Sequence, residues 1–203
     1  MMAGVFLWSF VVTAEPGAAV SPQGAAVVEE KLEAVRKAPS DPRARLDLGL
    51  AYAEAEEHEF AMSELIEAIR LDPENKENLA ARANFALGNV LLALDRPVLA
   101  ATAYREALKL GWKEPGVYLA LGNVLTGLGK FEEASTQYRE ALRLSPGTVE
   151  AHAGLGLALE GAGRLDEAAA HYELYLRAVP PGEDHGVEAV KQRLAKLRDR
   201  QKM

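Results

Sequence analysis

Apolar and small residues recur along most of the chain with the spacing of one helical face. One stretch places Tyr118, Leu121, Gly122 and Leu125 at i, i+3, i+4 and i+7. This spacing predicts an amphipathic α-helix with one buried face. A Gly-Lys pair then interrupts the pattern, and a second helical pattern follows until Pro146. Because proline cannot continue a helix, the stretch predicts two helices joined by a turn.

The same two-helix pattern returns with a period of 34 residues. The pentapeptide LGNVL occurs at residues 87–91 and 121–125, and the surrounding sequence aligns at this offset in both directions. One further match lies 39 residues upstream, so five residues, 76–80, are inserted there. We number positions 1 to 34 within four repeats, which are residues 42–75, 81–114, 115–148 and 149–182. One repeat cannot bury its apolar face alone, so neighbouring repeats are expected to stack.

The residues at fixed positions resemble those of tetratricopeptide repeats. Leu-Gly fills positions 7 and 8 in all four repeats, and Ala fills position 20. Tyr at position 24, Ala at position 27 and Pro at position 32 each occur in three repeats. The resemblance covers residues 42–182 and implies an all-α fold, a right-handed α-solenoid of helix-turn-helix repeats with flanking helices. The matching residues include Leu48-Gly49, Leu87-Gly88, Leu121-Gly122, Leu155-Gly156, Ala61, Ala100, Ala134, Ala168, Tyr104, Tyr138 and Tyr172.

Some positions depart from the family pattern. Position 4, usually Trp in the family, is occupied by Arg45, Asn84, Tyr118 and His152.

The small residues at positions 8, 20 and 27 predict close approach of helices, because helix axes come within roughly 8 Å only where the contact point lacks bulk. We expect Gly88 to contact Ala100 within its repeat.

The two ends of the chain differ from the repeats. Residues 1–14 are predicted to be a signal peptide, because the apolar run 3–12 is shorter than the roughly 20 residues of a membrane span and a small-residue cleavage site follows it. No Lys or Arg precedes the run, and an uncleaved apolar end is the alternative. Residues 15–41 are predicted to be a linker and a leading helix, and residues 183–203 a capping helix. Binding of that last helix to a membrane surface or a partner is the less favoured alternative.

Composition removes several classes of function. The net charge is −7, which argues against a nucleic-acid partner. The chain has no cysteine, which excludes thiolate chemistry. The four histidines show no spacing typical of metal ligands, and no phosphate loop or catalytic motif is present. We therefore predict a protein that is not an enzyme, with no cofactor, metal or small-molecule substrate.

A second stripe of residues, at positions 2, 5, 9 and 12, lies apart from the packing stripe on the first helix of each repeat. The family resemblance implies that this stripe lines a concave groove that binds peptides or partner helices. Few of its residues are charged, and an exposed apolar strip usually marks an interaction site. The predicted groove residues are Arg43, Leu46, Leu50 and Ala53; Arg82, Phe85, Asn89 and Leu92; Gly116, Leu119, Asn123 and Thr126; and Glu150, Ala153, Leu157 and Glu160.

This pattern favours a protein or peptide partner with apolar side chains, its backbone held by Asn89 and Asn123. Family members that grip acidic C-termini use Lys at position 5, and this chain has none there. We expect an adaptor or scaffold, with a self-associating structural subunit as the alternative. The leading helix or a second copy of the chain could also fill the groove.

Export to the periplasm or another extracytoplasmic space is expected from the signal peptide, with a cytoplasmic location as the alternative.

Overall fold

The computed structural model describes residues 22–180 and 186–201. These residues form ten α-helices and one short 3-10 helix. The helices are α1 (Pro22–Lys37), α2 (Pro42–Glu54), α3 (His58–Leu71), α4 (Leu79–Ala93), α5 (Pro97–Lys109), α6 (Pro115–Gly127), α7 (Phe131–Leu144), α8 (Val149–Gly161), α9 (Leu165–Ala178) and α10 (Val187–Gln201). The 3-10 helix is Lys76–Asn78. The all-α prediction is confirmed, with helices packed pairwise in consecutive repeats.

The described residues form two compact halves, which are divided after Trp112. In the first half, α1 packs on α2, α2 pairs with α3, α3 packs on α4, and α4 pairs with α5. In the second half, α6 pairs with α7, α7 packs on α8, α8 pairs with α9, and α10 packs on α9. Each repeat is therefore one antiparallel pair, and within each half the two pairs pack on each other. The predicted signal peptide lies outside the described residues.

The turn inside every repeat has the same backbone geometry. Position 15 adopts a left-handed conformation in all four repeats, at Glu56, Asp95, Gly129 and Gly163, with φ between 56° and 78°. The next amide then donates a hydrogen bond to a carbonyl five residues earlier, as Lys130 does to Leu125 at 2.8 Å. This bond satisfies a carbonyl that the end of the helix would leave without a partner. The break near position 15 is therefore a helix C-cap.

The five inserted residues extend the start of α4. Asp72 is buried and its carboxylate accepts hydrogen bonds from the amides of Lys76 at 2.8 Å and Ala80 at 3.1 Å. The side chain of Asn75 accepts from the amide of Ala81 at 2.9 Å. As a result α4 begins at Leu79, two residues before the predicted start of its repeat, and Leu79 joins the core. These side chains occupy amides that the first turn of a helix leaves without a backbone partner.

The glycine at position 8 lies closest to the side chain of the residue at position 24. A Cβ built on Gly88 would lie 2.3 Å from the ring of Tyr104, and one on Gly156 would lie 2.5 Å from Tyr172. The three atoms nearest to a Cβ on Gly88 all belong to Tyr104, and the expected contact between Gly88 and Ala100 stays a prediction. The antiparallel pairing brings a large ring, rather than a second small residue, over the glycine. Close packing depends on one small and one large partner.

Flanking helices cover the first and the fourth repeat. In the first half, Val35 of α1 packs against Ala44 and Leu48 of α2. In the second half, Val190, Leu194 and Leu197 of α10 are each at most 6% exposed. Val187, the remaining member of the predicted apolar stripe, is half-buried, so most of this stripe is covered by the protein itself.

We expect Gly88→Ala to lower the free energy of unfolding by about 1–3 kcal/mol, because the new methyl group would overlap the buried ring of Tyr104. The matched control is Gly116→Ala at the start of α6, where nothing lies within 4 Å of the added methyl group. That control should be neutral or up to about 1 kcal/mol more stable, because Ala favours helix. Urea unfolding measures both, and equal stability of the two variants would contradict the packing role of Gly88.

Candidate functional site

The predicted stripe on α4 is exposed. Arg82 and Asn89 are exposed, Phe85 is half-buried and Leu92 is 39% exposed. These residues fall within about 80° of one another around the helix, at 100° per residue. The side chain of Phe85 leans on Tyr104, with ring centroids 5.8 Å apart. Thus α4 presents one continuous face that combines a cation, an aromatic ring, an amide and an aliphatic side chain.

The stripe on α2 differs from the prediction. Leu46 is 1% exposed and packs in the core with Leu65 and Leu79, so it is not available to a partner. The inserted segment that extends α4 covers this side of the first repeat, and the sequence pattern of one repeat does not reveal it. Arg43 is exposed and pairs with Glu77 of the insertion, and Leu50 is half-buried against the core.

The stripes of the second half are partly open. On α6, Asn123 is exposed while Leu119 and Thr126 are half-buried. On α8, Glu150 is exposed and Leu157 is half-buried. The predicted residues of α6 therefore resemble those of α4 in exposure, with the amide as the outermost group.

The two amides are held by the buried tyrosines. The hydroxyl of Tyr104 donates to Asn89 Oδ1 at 2.6 Å, and the hydroxyl of Tyr138 donates to Asn123 Oδ1 at 2.8 Å. Thr126 Oγ1 lies 3.2 Å from the same Tyr138 hydroxyl. A buried hydroxyl needs a hydrogen-bond partner, and the amide oxygen supplies one at the surface. In each half, the described residues offer no further protein partner to the amide nitrogen, which stays free to donate outward.

Burial also changes the acidity of these phenols. It raises the pKa of the Tyr138 hydroxyl to about 12 and the pKa of Tyr104 further. Both tyrosines therefore stay neutral and remain donors at physiological pH. The first repeat has Leu65 at position 24, which needs no acceptor, and Leu50 stands at position 9. Asn occurs at position 9 only in repeats with Tyr at position 24.

In the fourth repeat, α10 takes over this role. The hydroxyl of Tyr172 donates to Glu160 Oε2 at 2.8 Å, and Arg193 of α10 donates to the same oxygen at 3.0 Å. Position 12 of this repeat is thus engaged by the capping helix. Arg198 of α10 also pairs with Glu173 of α9 at 2.7 Å. The carboxylate of Glu160 is therefore part of the attachment of α10 rather than an open binding group.

Two histidines that are far apart in sequence meet in the fourth repeat. Nδ1 of His152 lies 3.1 Å from Nδ1 of His171, and both rings are half-buried. Residues at positions 4 and 23 face each other in a repeat, since Arg45 and Glu64 form an ion pair at 2.7 Å at the same positions. The histidine pair was not predicted from the sequence. The spacing of the histidines was compared with that of metal ligands, and not with the pairing of positions 4 and 23 within a repeat. The sequence signal for the histidine pair is its separation of 19 residues, which is the same as the separation of Arg45 and Glu64.

Models of known protein families match most of the chain. Two family models, both described as "Tetratricopeptide repeat", match residues 23–112 and residues 119–183. The chain is a tetratricopeptide repeat protein. Proteins of this family mediate binding to proteins and peptides. Its repeats are typically not enzymes, and no catalytic domain is identified in this chain.

Several solved structures share the fold of this tetratricopeptide repeat protein. YrrB, "a TPR protein with an unusual peptide-binding site", is 22% identical with a TM-score of 0.76, covering 86% of this chain and 85% of its own. MamA from Desulfovibrio magneticus RS-1 is 20% identical with a TM-score of 0.68, covering 77% and 86%. BtubC from P. vanneervenii is 18% identical with a TM-score of 0.67, covering 87% and 81%. No curated protein sequence matches significantly.

The described residues offer no alternative centre of metal chemistry. Within residues 22–180 and 186–201, no group of three or more His, Cys, Asp or Glu is arranged to hold a metal ion. None of the helices in that part of the chain is long and apolar enough to cross a membrane. The exposure of Asn89 and Asn123 makes the stripes of α4 and α6 the candidate functional surfaces.

We expect acidification to weaken the fourth repeat through its histidine pair. Burial lowers the pKa of both imidazoles, and for His171 the charges of His152 and Arg139 lower it further while Glu167 opposes this. The unfolded chain therefore takes up protons at higher pH than the folded chain. The contribution of the neutral histidine pair to the free energy of unfolding is complete above about pH 6.5 and is lost as the pH falls below it.

The test compares urea unfolding of the natural chain and of the double variant His152→Gln, His171→Gln at about pH 7.5 and about pH 5.5. The natural chain should lose more of its free energy of unfolding on acidification than the variant. An equal loss in both proteins would contradict the proposed linkage.

Proposed function

We propose that this tetratricopeptide repeat protein is a non-enzymatic adaptor or scaffold that binds a peptide or protein segment on the exposed position 2, 5, 9 and 12 stripes of α4 and α6. The observation that carries the proposal is the state of Asn89 and Asn123. Each amide oxygen accepts from a buried tyrosine, while each amide nitrogen has no partner among the described residues. The fixed oxygen orients the amide, so its nitrogen is prepared to donate to a backbone carbonyl.

The surroundings of the two amides support the same proposal. Phe85 and Leu92 on α4 and Leu119 on α6 leave apolar surface next to the donors. An extended peptide needs both, because apolar side chains provide affinity and backbone hydrogen bonds fix the register. In the first half, α1 packs on Ala44 and Leu48, which lie outside the stripe, so the leading helix does not compete for it. The peptide-binding site named for YrrB adds support at the level of the fold.

Replacing both amides with carboxylates separates binding from folding. The double variant Asn89→Asp, Asn123→Asp keeps an oxygen acceptor for each tyrosine but removes both outward donors. We expect the free energy of unfolding to change by less than about 1 kcal/mol and peptide affinity to fall about tenfold or more. The probes are peptides selected on the natural chain from a random library displayed on phage, with affinities measured by calorimetry.

The matched control is Thr102→Asp, Thr136→Asp, which adds the same charge to α5 and α7, where both threonines are exposed outside the stripes. This control should bind the selected peptides as the natural chain does. Selection of no peptide above background, or equal affinity of the natural chain and the Asn variant, would overturn the proposal.

Self-association is the second candidate function. Phe60 on α3 is 59% exposed, and Val98 and Leu99 on α5 are 64% and 53% exposed. Large apolar side chains at this exposure favour contact with another protein surface, including a second copy. Light scattering across a range of concentrations tests this candidate, and a monomer at every concentration would contradict it.

We further propose that the protein is exported, on the basis of the apolar run and the cleavage site before Glu15. Sequencing the N-terminus of the protein from its natural source tests this, and Glu15 is the expected first residue. A mature protein that retains residues 1–14 in the cytoplasm would contradict export.

A further inference from the structure

Arg82 differs from the other cations of the first half. Its side chain is exposed and has no hydrogen-bond or ion-pair partner among the described residues. Every other Lys and Arg of residues 22–112 has such a partner, as Arg43 has Glu77 and Arg96 has Glu59. In a chain of net charge −7, carboxylates are plentiful, and one guanidinium that engages none of them is available to a ligand.

The position of Arg82 connects it to the binding stripe. It lies one helical turn before Phe85 and two turns before Asn89 on the same face of α4. Phe85 and Asn89 both rest on Tyr104, with Asn89 Oδ1 bound to its hydroxyl. The amide therefore offers a ligand only its donor. The whole stripe presents a cation and an N–H donor, separated by an aromatic ring, and no acceptor or anion.

This arrangement selects the chemistry of the ligand. A guanidinium forms its strongest pairs with carboxylates, and an arginine on the binding face repels a basic ligand. Seven residues of helix span about 10 Å, which is the length of about three residues of extended chain. The distance from Arg82 to Asn89 thus matches a carboxylate side chain and a backbone carbonyl about three residues apart in one extended segment.

We infer that the α4 stripe binds an extended acidic peptide, with its carboxylate on Arg82, an apolar side chain on Phe85 and Leu92, and a backbone carbonyl on the Asn89 amide nitrogen. This inference rests on the proposed function and specifies its ligand. The acidic group meets position 2 of the second repeat. It does not depend on a lysine at position 5, where the chain has Phe85.

The experiment uses the full chain and three fluorescent pools of blocked nonapeptides. The pools are degenerate over Ala, Leu, Ser and Thr and differ only in a fixed central residue, which is Glu, Gln or Lys. Fluorescence anisotropy should show that the natural chain binds the Glu pool about tenfold more tightly than the Gln pool, as a charge-assisted pair requires. This preference should shrink as salt is added.

Charge reversal at one residue provides the decisive comparison. Arg82→Glu should lose the preference for the Glu pool and prefer the Lys pool. The control Lys109→Glu makes the same change of charge in the same half but on α5, and it should keep the natural preference. Circular dichroism verifies that each variant is folded, and Arg82→Gln replaces Arg82→Glu if the latter is not; it should bind the Glu and Gln pools equally.

The outcomes separate this inference from the function on which it rests. Equal binding of the Glu and Gln pools by the natural chain would overturn the acidic ligand and leave peptide binding intact. A natural preference that Arg82→Glu retains, or that Lys109→Glu also abolishes, would show that Arg82 does not set it. Failure of all three pools to bind the natural chain would overturn both the acidic ligand and the proposed peptide binding.

Discussion

The contact between the glycine at position 8 and the side chain at position 24 governs each repeat of this protein. Gly88, Gly122 and Gly156 leave no room for a methyl group, because a tyrosine ring already occupies the space above each of them. A glycine in a helix costs about 1 kcal/mol relative to alanine, and the buried aromatic ring offsets that cost. In the second half, Tyr138 is also covered by Gly154 of the following repeat, so one ring stabilises a pair and its stacking on the next.

The buried ring creates a second requirement, which connects packing to the candidate function. A tyrosine hydroxyl inside a helix pair needs an acceptor, and the side chains that provide it lie at the surface. The repeats solve this in different ways, with Asn89, Asn123 assisted by Thr126, and Glu160. An asparagine leaves an amino group facing outward, whereas the carboxylate of Glu160 is engaged by Arg193. The same structural need therefore leaves a donor on α4 and α6 and occupies the site on α8.

The sequence predicted the repeats well and the candidate site only in part. Local features of the sequence predict the helix pairs, the turn at position 15 and the flanking helices. These features are the hydrophobic periodicity, the prolines and glycines, and helix capping, and each of them acts over a few residues. Leu46 shows the limit of this reasoning, since it has the right position in the helix for a binding surface yet lies in the core. The inserted residues changed its surroundings, and a helical wheel of one repeat contains no information about an insertion that follows it.

For this protein, the sequence by itself determined the period, the family and the positions at which bulk is forbidden, because those properties depend on spacing along one chain. The tertiary structure alone decided which side chains satisfy one another. It paired His152 with His171, gave the oxygens of Asn89 and Asn123 to buried tyrosines, and left Arg82 without a carboxylate. Such partners come from different helices, and the direction of a hydrogen bond depends on where a side chain ends after packing. The sequence placed the asparagine of LGNVL next to the packed face of its helix. Packing then bound its amide oxygen to a tyrosine and left its amide nitrogen without a partner among the described residues.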